Sequence, residues 1–182
     1  MSAQVLILPG LYNSGAKHWQ TVWEGLFPTL QRVNQADWET PVCDDWVARL
    51  EQAVQRTGSD GVLVAHSLAC TLVGKWAERH PRTIRGALLV APSDTEAPTY
   101  PPGTRGFTPM PRNRLPFPSL VVASTNDPYV SLERAQGFAR HWGSEMVVAG
   151  ALGHLNSDSG LGAWPQGLEL LRKLTGDPKF TQ

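Results

Sequence analysis

Five short, almost wholly apolar runs divide this chain: "QVLILP", "DGVLVA", "RGALLVA", "SLVVAST" and "SEMVVAG". Each has the length of a β-strand, and none alternates polar with apolar residues as a strand wet on one face does. Runs of this kind are strands covered on both faces, and the cover lies between them in sequence. "DDWVARLEQAVQR" opens on an Asp cap and repeats apolar residues at Trp46, Val47, Leu50, Ala53 and Val54, the spacing of one helix face. "SLERAQGFARHWG" follows a Ser cap, turns Leu132, Ala135, Phe138, Ala139 and Trp142 to one side, and stops at Gly143. "WPQGLELLRKLTG" has Pro near its start and Gly just past its end. A further edge strand is weakly signalled around "LQRVN". Strand and helix in turn predict an α/β fold: an open, mostly parallel sheet with right-handed crossovers and helices on both faces. Such sheets bind ligands beyond the carboxyl ends of their strands, so residues that do chemistry are expected just after strands.

The 182 residues suit a single domain, 1–182, with a substantial core. Sixteen Lys and Arg balance sixteen Asp and Glu, so no net field draws the chain to nucleic acid or to an anionic membrane, and neither is expected as a partner. The opening "MSAQVLILPG" lacks the basic start and long apolar run of a signal peptide, and no segment approaches the roughly 20 apolar residues of a spanning helix. The expectation is a soluble cytoplasmic protein. Cys43 and Cys70 are too few for a disulfide scaffold or a Cys-rich zinc site, and Cys70 reads as a small hydrophobe on the inner side of a helix. The one long irregular stretch, 93–118, holds seven prolines that preclude a helical cap domain. It is either a flap over the site, with Phe107 or Met110 touching substrate, or a surface connection.

The segment "GVLVAHSLACTLVGKW" carries the most chemistry. Val62 to Ala65 read as a strand, and Leu68, Leu72, Val73 and Trp76 as a helix face, leaving room only for a sharp turn at His66 and Ser67. That is the pattern of a nucleophile elbow, which lifts a serine Oγ above the strand ends in front of a helix N-terminus. Alanine stands at both usual glycine positions, Ala65 and Ala69, so the flanks stay small. The plainer alternative makes Ser67 an N-cap and nothing more.

A serine hydroxyl needs a base, and the base needs an orienting acid. His18 and His80 lie at or in helical segments, His66 beside the serine and His141 in a helix's last turn, each with an adequate structural explanation. His154 instead lies in "GALGHLNSDSGLG", a Gly-rich loop beyond the last strand. Among acids, Asp127 follows a strand in an Asn-Asp-Pro turn, Asp94 follows an earlier strand, and Asp158 is too near His154 to reach round to its ring. The chain order Ser, Asp, His favours Asp127, with Asp94 in reserve.

"ILPGLYNSGAKHW" resembles a phosphate loop only superficially. A Walker loop needs Lys and Ser/Thr directly after its second Gly, and here Gly15 is followed by Ala16, Lys17 and His18. The same loop suits an oxyanion hole, with backbone N–H donors from Leu11 and from Leu68, and with Gly10 supplying a free φ for the turn.

Taken in order, "PGLYNSGAKHWQTVWE", "DDWVARL", "VLVAHSLAC", "NDPYV" and "GHLNSDSGLGAWPQG" resemble the small, lidless α/β-hydrolase family of bacterial YdeN-type serine hydrolases and human retinoblastoma-binding protein nine. The resemblance spans nearly the whole chain. It implies a reduced α/β-hydrolase fold of about six strands and a triad at Ser67, Asp127 and His154. The expected function is a serine hydrolase, carboxylesterase-like or aminopeptidase-like, that cleaves a small ester or amide through an acyl-enzyme. No metal and no organic cofactor are needed. Tyr12, Asn156 and Trp164 are candidates for the substrate wall, Trp164 alternatively for the core. An acyltransferase, or an interaction module for a protein partner with a vestigial triad, stays open.

Overall fold

Each apolar run becomes a strand. The computed structural model describes residues 3–180. Its strands are β1 (Gln4–Leu8), β2 (Gln31–Arg32), β3 (Gly61–His66), β4 (Gly86–Val90), β5 (Ser119–Ala123) and β6 (Glu145–Val148). They form one sheet in the order β2-β1-β3-β4-β5-β6, with every neighbouring pair parallel. The helices are α1 (Trp19–Leu26), α2 (Cys43–Thr57), α3 (Leu68–Arg79), α4 (Leu132–Trp142) and α5 (Pro165–Thr175). The edge strand suspected in "LQRVN" is β2. Every residue of β3, β4 and β5 is buried, as a continuous apolar run requires. At the other edge β6 departs from this pattern: Glu145 and Val148 are exposed and the two residues between them half-buried.

Successive residues of each strand enter opposite cores. Leu6, Leu63, Leu89 and Val121 face α2, α3 and α4, where Trp46, Trp76 and Trp142 pack. Ile7, Val64, Leu88 and Val122 face α1 and α5, where Trp19, Trp23 and Leu168 pack. From β1 the chain steps to one edge, and from β3 onward it steps to the other. The loops after β1 and β3 therefore meet at the topological switch point, where an open α/β sheet has its crevice.

Helix ends follow their capping chemistry with one adjustment. α2 begins before its Asp pair: Val42 is the N-cap, and Asp44 and Asp45 lie in the first turn, where negative charge favours the helix dipole. The Ser131 side chain caps α4 by accepting from the Arg134 N–H, and Gly143 closes that helix in the left-handed conformation at φ 67°.

The Pro-rich connection from β4 to β5 corrects the view of Phe107 and Met110 as flap residues. Both are buried in the α2–α3 core. Phe107 meets Trp46 edge-on at 5.6 Å, and the Met110 sulfur accepts from the hydroxyls of Thr71 and Thr95 at 3.3 and 3.0 Å. The Trp142 indole N–H donates to the Pro111 carbonyl at 2.9 Å. Gly74 of α3 admits the Pro111 ring, which would lie 2.4 Å from a Cβ there. Prolines bar a helix here, but the segment still contributes apolar side chains where a helix would. Among the described residues, no helix is long and apolar enough to cross a membrane.

One acid is built into this packing. Glu51 of α2 is buried and accepts from the Arg82 guanidinium at 2.7 Å, the Trp76 indole at 2.9 Å and the Gln55 amide at 2.8 Å. Burial opposes its charge, but the hydrogen bonds from Arg82, Trp76 and Gln55 outweigh that and pull the carboxyl from 4.5 down to about 2. A depressed carboxylate contributes stability that is present above its unfolded value and lost as pH falls through its folded one. Wild type should therefore melt above Glu51→Gln at pH 7, and the difference should shrink as pH falls from 4.5 towards 2. Thermal melts of the two proteins across that range check this.

Candidate active site

Ser67 occupies the sharp turn between β3 and α3, with φ 59° and ψ −123°, as N-cap of the helix. A non-glycine residue in that region is strained and persists only where its surroundings hold it. Its own N–H is tied to the Val90 carbonyl at 3.0 Å, and Ala65 and Ala69 on either side are wholly buried. Their methyl groups are small enough to let strand and helix close on the turn.

The loop after β1 presses on this turn at Gly10. A Cβ there would sit 2.8 Å from the His66 carbonyl oxygen, 2.8 Å from Ser67 Cβ and 3.3 Å from the Leu68 nitrogen. This corrects the reason expected for the glycine: Gly10 is needed for close approach, and the left-handed turn is made instead by Tyr12 and Asn13, each at φ 65°. The Tyr12 N–H donates to the Trp38 carbonyl at 2.8 Å, and the Asn13 side-chain oxygen accepts from Arg32 at 3.0 Å. The buried Gln20 amide donates to the carbonyls of Leu8 and Val64, the end of β1 and a residue near the end of β3. Among the described residues, the N–H groups of Leu11 and Leu68 have no hydrogen-bond partner.

Three further residues converge on Ser67. His154 Nε2 lies 2.9 Å from Ser67 Oγ. On the other side of the ring, Nδ1 lies 2.9 and 2.8 Å from the two oxygens of Asp127, whose side chain is fully buried. A carboxylate only accepts, so Nδ1 carries the proton and Nε2 accepts from the serine hydroxyl. The third is Ser93, whose Oγ is 2.6 Å from Ser67 Oγ. Asp94, the reserve acid, is engaged elsewhere: Arg134 donates to both its oxygens at 2.7 and 2.8 Å.

The loop bearing His154 is fixed from several directions. His66 Nε2–H donates to the His154 carbonyl at 2.9 Å, and the Trp19 indole N–H donates to the next carbonyl, Leu155, at 2.8 Å. The Asn126 side chain accepts from the Gly153 N–H at 2.7 Å, and the Ser124 hydroxyl from the Leu152 N–H at 2.8 Å. The Tyr129 ring stands edge-on to the His154 imidazole at 4.6 Å. His18 and His66 line the adjoining cleft, and both are held neutral. Burial, then the charge of Arg32, lowers His18 to about 4, and burial holds His66 well below the ordinary histidine value.

The cleft, about 220 Å³, opens between Tyr12, Tyr100, Tyr129 and Asn156, with Ser67 and His154 in its lining. Tyr12 and Asn156 thus stand where substrate contacts were expected. Asn156 also caps the 3-10 turn at 157–159. Trp164 is a correction to the substrate wall and follows the core alternative: it is buried in the core between the sheet and α1 and α5, stacked on Trp23 at 5.9 Å, with its ring lying over Gly167. Ser93, His18, His66 and Gln20 were not singled out as site residues. Ser93 left a signal in falling just after a strand, and His66 in standing beside the elbow serine. Among the described residues, no group of three or more His, Cys, Asp or Glu side chains is arranged to hold a metal.

A parallel six-stranded sheet with a serine elbow at its switch point is a reduced α/β-hydrolase fold, and the serine hydrolase family model matches residues 5–173. The chain belongs to that family. Within it the chain is of the YdeN type. It is 31% identical to a YdeN-like hydrolase of Pectobacterium atrosepticum, with a TM-score of 0.84 over 96% of this chain and 91% of that one. The ydeN gene product of Bacillus subtilis aligns at 21% identity and a TM-score of 0.80, over 97% and 100% of the two chains. The carboxylesterase CesB of Bacillus subtilis shares the fold at 12% identity and a TM-score of 0.66, over 97% and 85%. No curated protein matches the chain.

The contact at Gly10 gives a specific expectation. Gly10→Ala forces the two loops apart, which should destabilise the fold by about 1–3 kcal/mol, the usual range for overpacking. Hydrolase activity should fall further than that loss explains, because the elbow itself moves. Urea unfolding alongside ester turnover, at a temperature where both proteins are folded, checks both parts.

Proposed function

We propose that the protein cleaves small ester or amide bonds through an acyl-enzyme, with Ser67 as nucleophile, His154 as general base and acid, and Asp127 as the acid that orients the imidazole. The observation that carries this reading is the unbroken line of hydrogen bonds from Ser67 Oγ through both nitrogens of His154 to the Asp127 carboxylate. As Ser67 attacks a carbonyl carbon, its proton passes to His154 Nε2, and Asp127 stabilises the imidazolium that forms. The carbonyl oxygen becomes an oxyanion, for which the N–H groups of Leu11 and Leu68 are the donors. His154 then protonates the leaving group. In the second half, water gives a proton to His154 and attacks the acyl carbon, and Ser67 recovers its own proton from the imidazolium.

Tyr12 and Asn156 border the cleft and are assigned to substrate contact. The volume of about 220 Å³ suits a small acyl group or leaving group. Esters are the favoured class: the carboxylesterase CesB and the type II thioesterase BorB from the borrelidin biosynthetic cluster share this fold at TM-scores of 0.66 and 0.67. A binding module has no need of an aligned base and buried acid behind its serine, so the relay favours turnover over a vestigial site.

Ser67→Ala should abolish both p-nitrophenyl acetate hydrolysis and covalent labelling by a fluorophosphonate while melting as wild type does. Labelling that persists in that variant sinks the assignment. Asp127→Asn leaves the shape of the site and removes the partner that holds the proton on Nδ1. Its turnover should drop by a factor on the order of 10⁴, measured as kcat on the same ester.

A further inference from the structure

Ser93 lies three residues beyond β4, after Ala91 and Pro92, and is 2% exposed. Its backbone is held on both sides. The Ala91 N–H donates to the Val122 carbonyl of β5 at 2.8 Å, and the Asp94 N–H donates to the Tyr129 carbonyl at 3.1 Å. The Asp94 side chain is clamped by Arg134 from α4. The hydroxyl so placed lies 2.6 Å from Ser67 Oγ and lines the cleft.

Proton accounting decides the direction of that bond. His154 Nδ1 must carry a proton for Asp127, so Nε2 has only a lone pair to offer. The single proton of Ser67 goes to Nε2. Ser67 Oγ can then only accept from Ser93, and Ser93 is the donor. An sp³ oxygen with its proton and one lone pair both engaged has one lone pair left, aimed in one direction. The second hydroxyl therefore fixes the rotor of the nucleophile as well as withdrawing charge from it.

We propose that Ser93 is a further catalytic residue, a standing hydrogen-bond donor to the reacting oxygen of Ser67 in both halves of the reaction. This rests on the nucleophile assignment made above and adds a fourth side chain to it. During acylation the Oγ–carbon bond forms, the proton of Ser67 travels to His154 and on to the leaving group, and Ser93 keeps its own proton throughout. In the acyl-enzyme, Ser67 Oγ is an ester oxygen that His154 no longer contacts through a proton, while Ser93 still donates to it. When water attacks, the carbon–Oγ bond breaks and Oγ departs with rising negative charge. Ser93 stabilises that charge until the imidazolium returns the proton. A donor to an oxygen that gains charge is stronger than one between neutral groups.

The test is stopped-flow hydrolysis of p-nitrophenyl acetate by wild type, Ser93→Ala, Ser93→Thr and Ser67→Ala, each with a thermal melt. Ser93→Ala should fold as wild type does and lose roughly 10- to 100-fold in both the burst rate and the steady-state rate. Ser93→Thr keeps the hydroxyl and should recover most of both. A Ser93→Ala enzyme within about twofold of wild type, or a Thr variant no faster than the Ala variant, overturns the proposal. Ser67→Ala separates the two claims: if that variant keeps its burst, the nucleophile assignment itself has failed. If it is inactive while Ser93→Ala matches wild type, only the role of Ser93 has failed.

Discussion

The backbones leaving β1 and β3 touch at Gly10, where a side chain would lie 2.8 Å from Ser67 Cβ and from the His66 carbonyl. Everything at the carboxyl edge of the sheet depends on that distance. It sets the Leu68 nitrogen against the loop after β1, and it goes with a sheet order that sends the chain in opposite directions from these two neighbouring strands. Gln20 reinforces the contact from below by bonding to a carbonyl of each strand. The tight approach of backbone to backbone, supported by these hydrogen bonds, sets the shape of this edge.

The loop that carries His154 has no regular structure around the histidine and depends on others for its position. Two tryptophans of α1 do much of this: Trp19 donates to the Leu155 carbonyl and Trp23 to the Ala163 carbonyl, at 2.8 and 2.7 Å. Their rings pack with Trp164 in the core on that face. A buried indole satisfies its N–H while burying a large apolar area, so one residue type anchors the loop and fills the core together. The serine is thus held by the turns after β1 and β3, and the imidazole by α1, by His66 at the end of β3 and by the loop after β5.

How much of this was legible in the sequence depended on whether the deciding interaction was local. The alternation of strand and helix, the elbow at Ser67 and the placing of Asp127 and His154 in loops beyond strands follow from patterns a few residues long. The sequence favoured Asp127 but kept Asp94 in reserve, because both follow strands; Asp94 is set apart by Arg134, which lies on another element. Gly10 was recognised as necessary for the wrong reason, since a free φ and a missing Cβ look alike until the neighbour is known. Prolines in 93–118 excluded a helix correctly but said nothing of where Phe107 and Met110 would go. Trp164 could face either side of its helix start, and only the space over Gly167 shows which. The roles of Ser93 and His18 acquire meaning only from what stands beside them.

Three imidazoles stand in a row at this edge, with His18 and His66 centroids 4.7 Å apart and His66 and His154 4.9 Å apart. Such a row looks like a conducting wire, yet it is an insulator. Burial makes His18 and His66 resist ionisation, and His66 turns its hydrogen to the His154 peptide oxygen instead of to a neighbouring ring. In the mechanism proposed above, a cation formed on His154 finds no ready acceptor in these neighbouring rings, and its proton returns to the oxygen it came from or to the departing fragment.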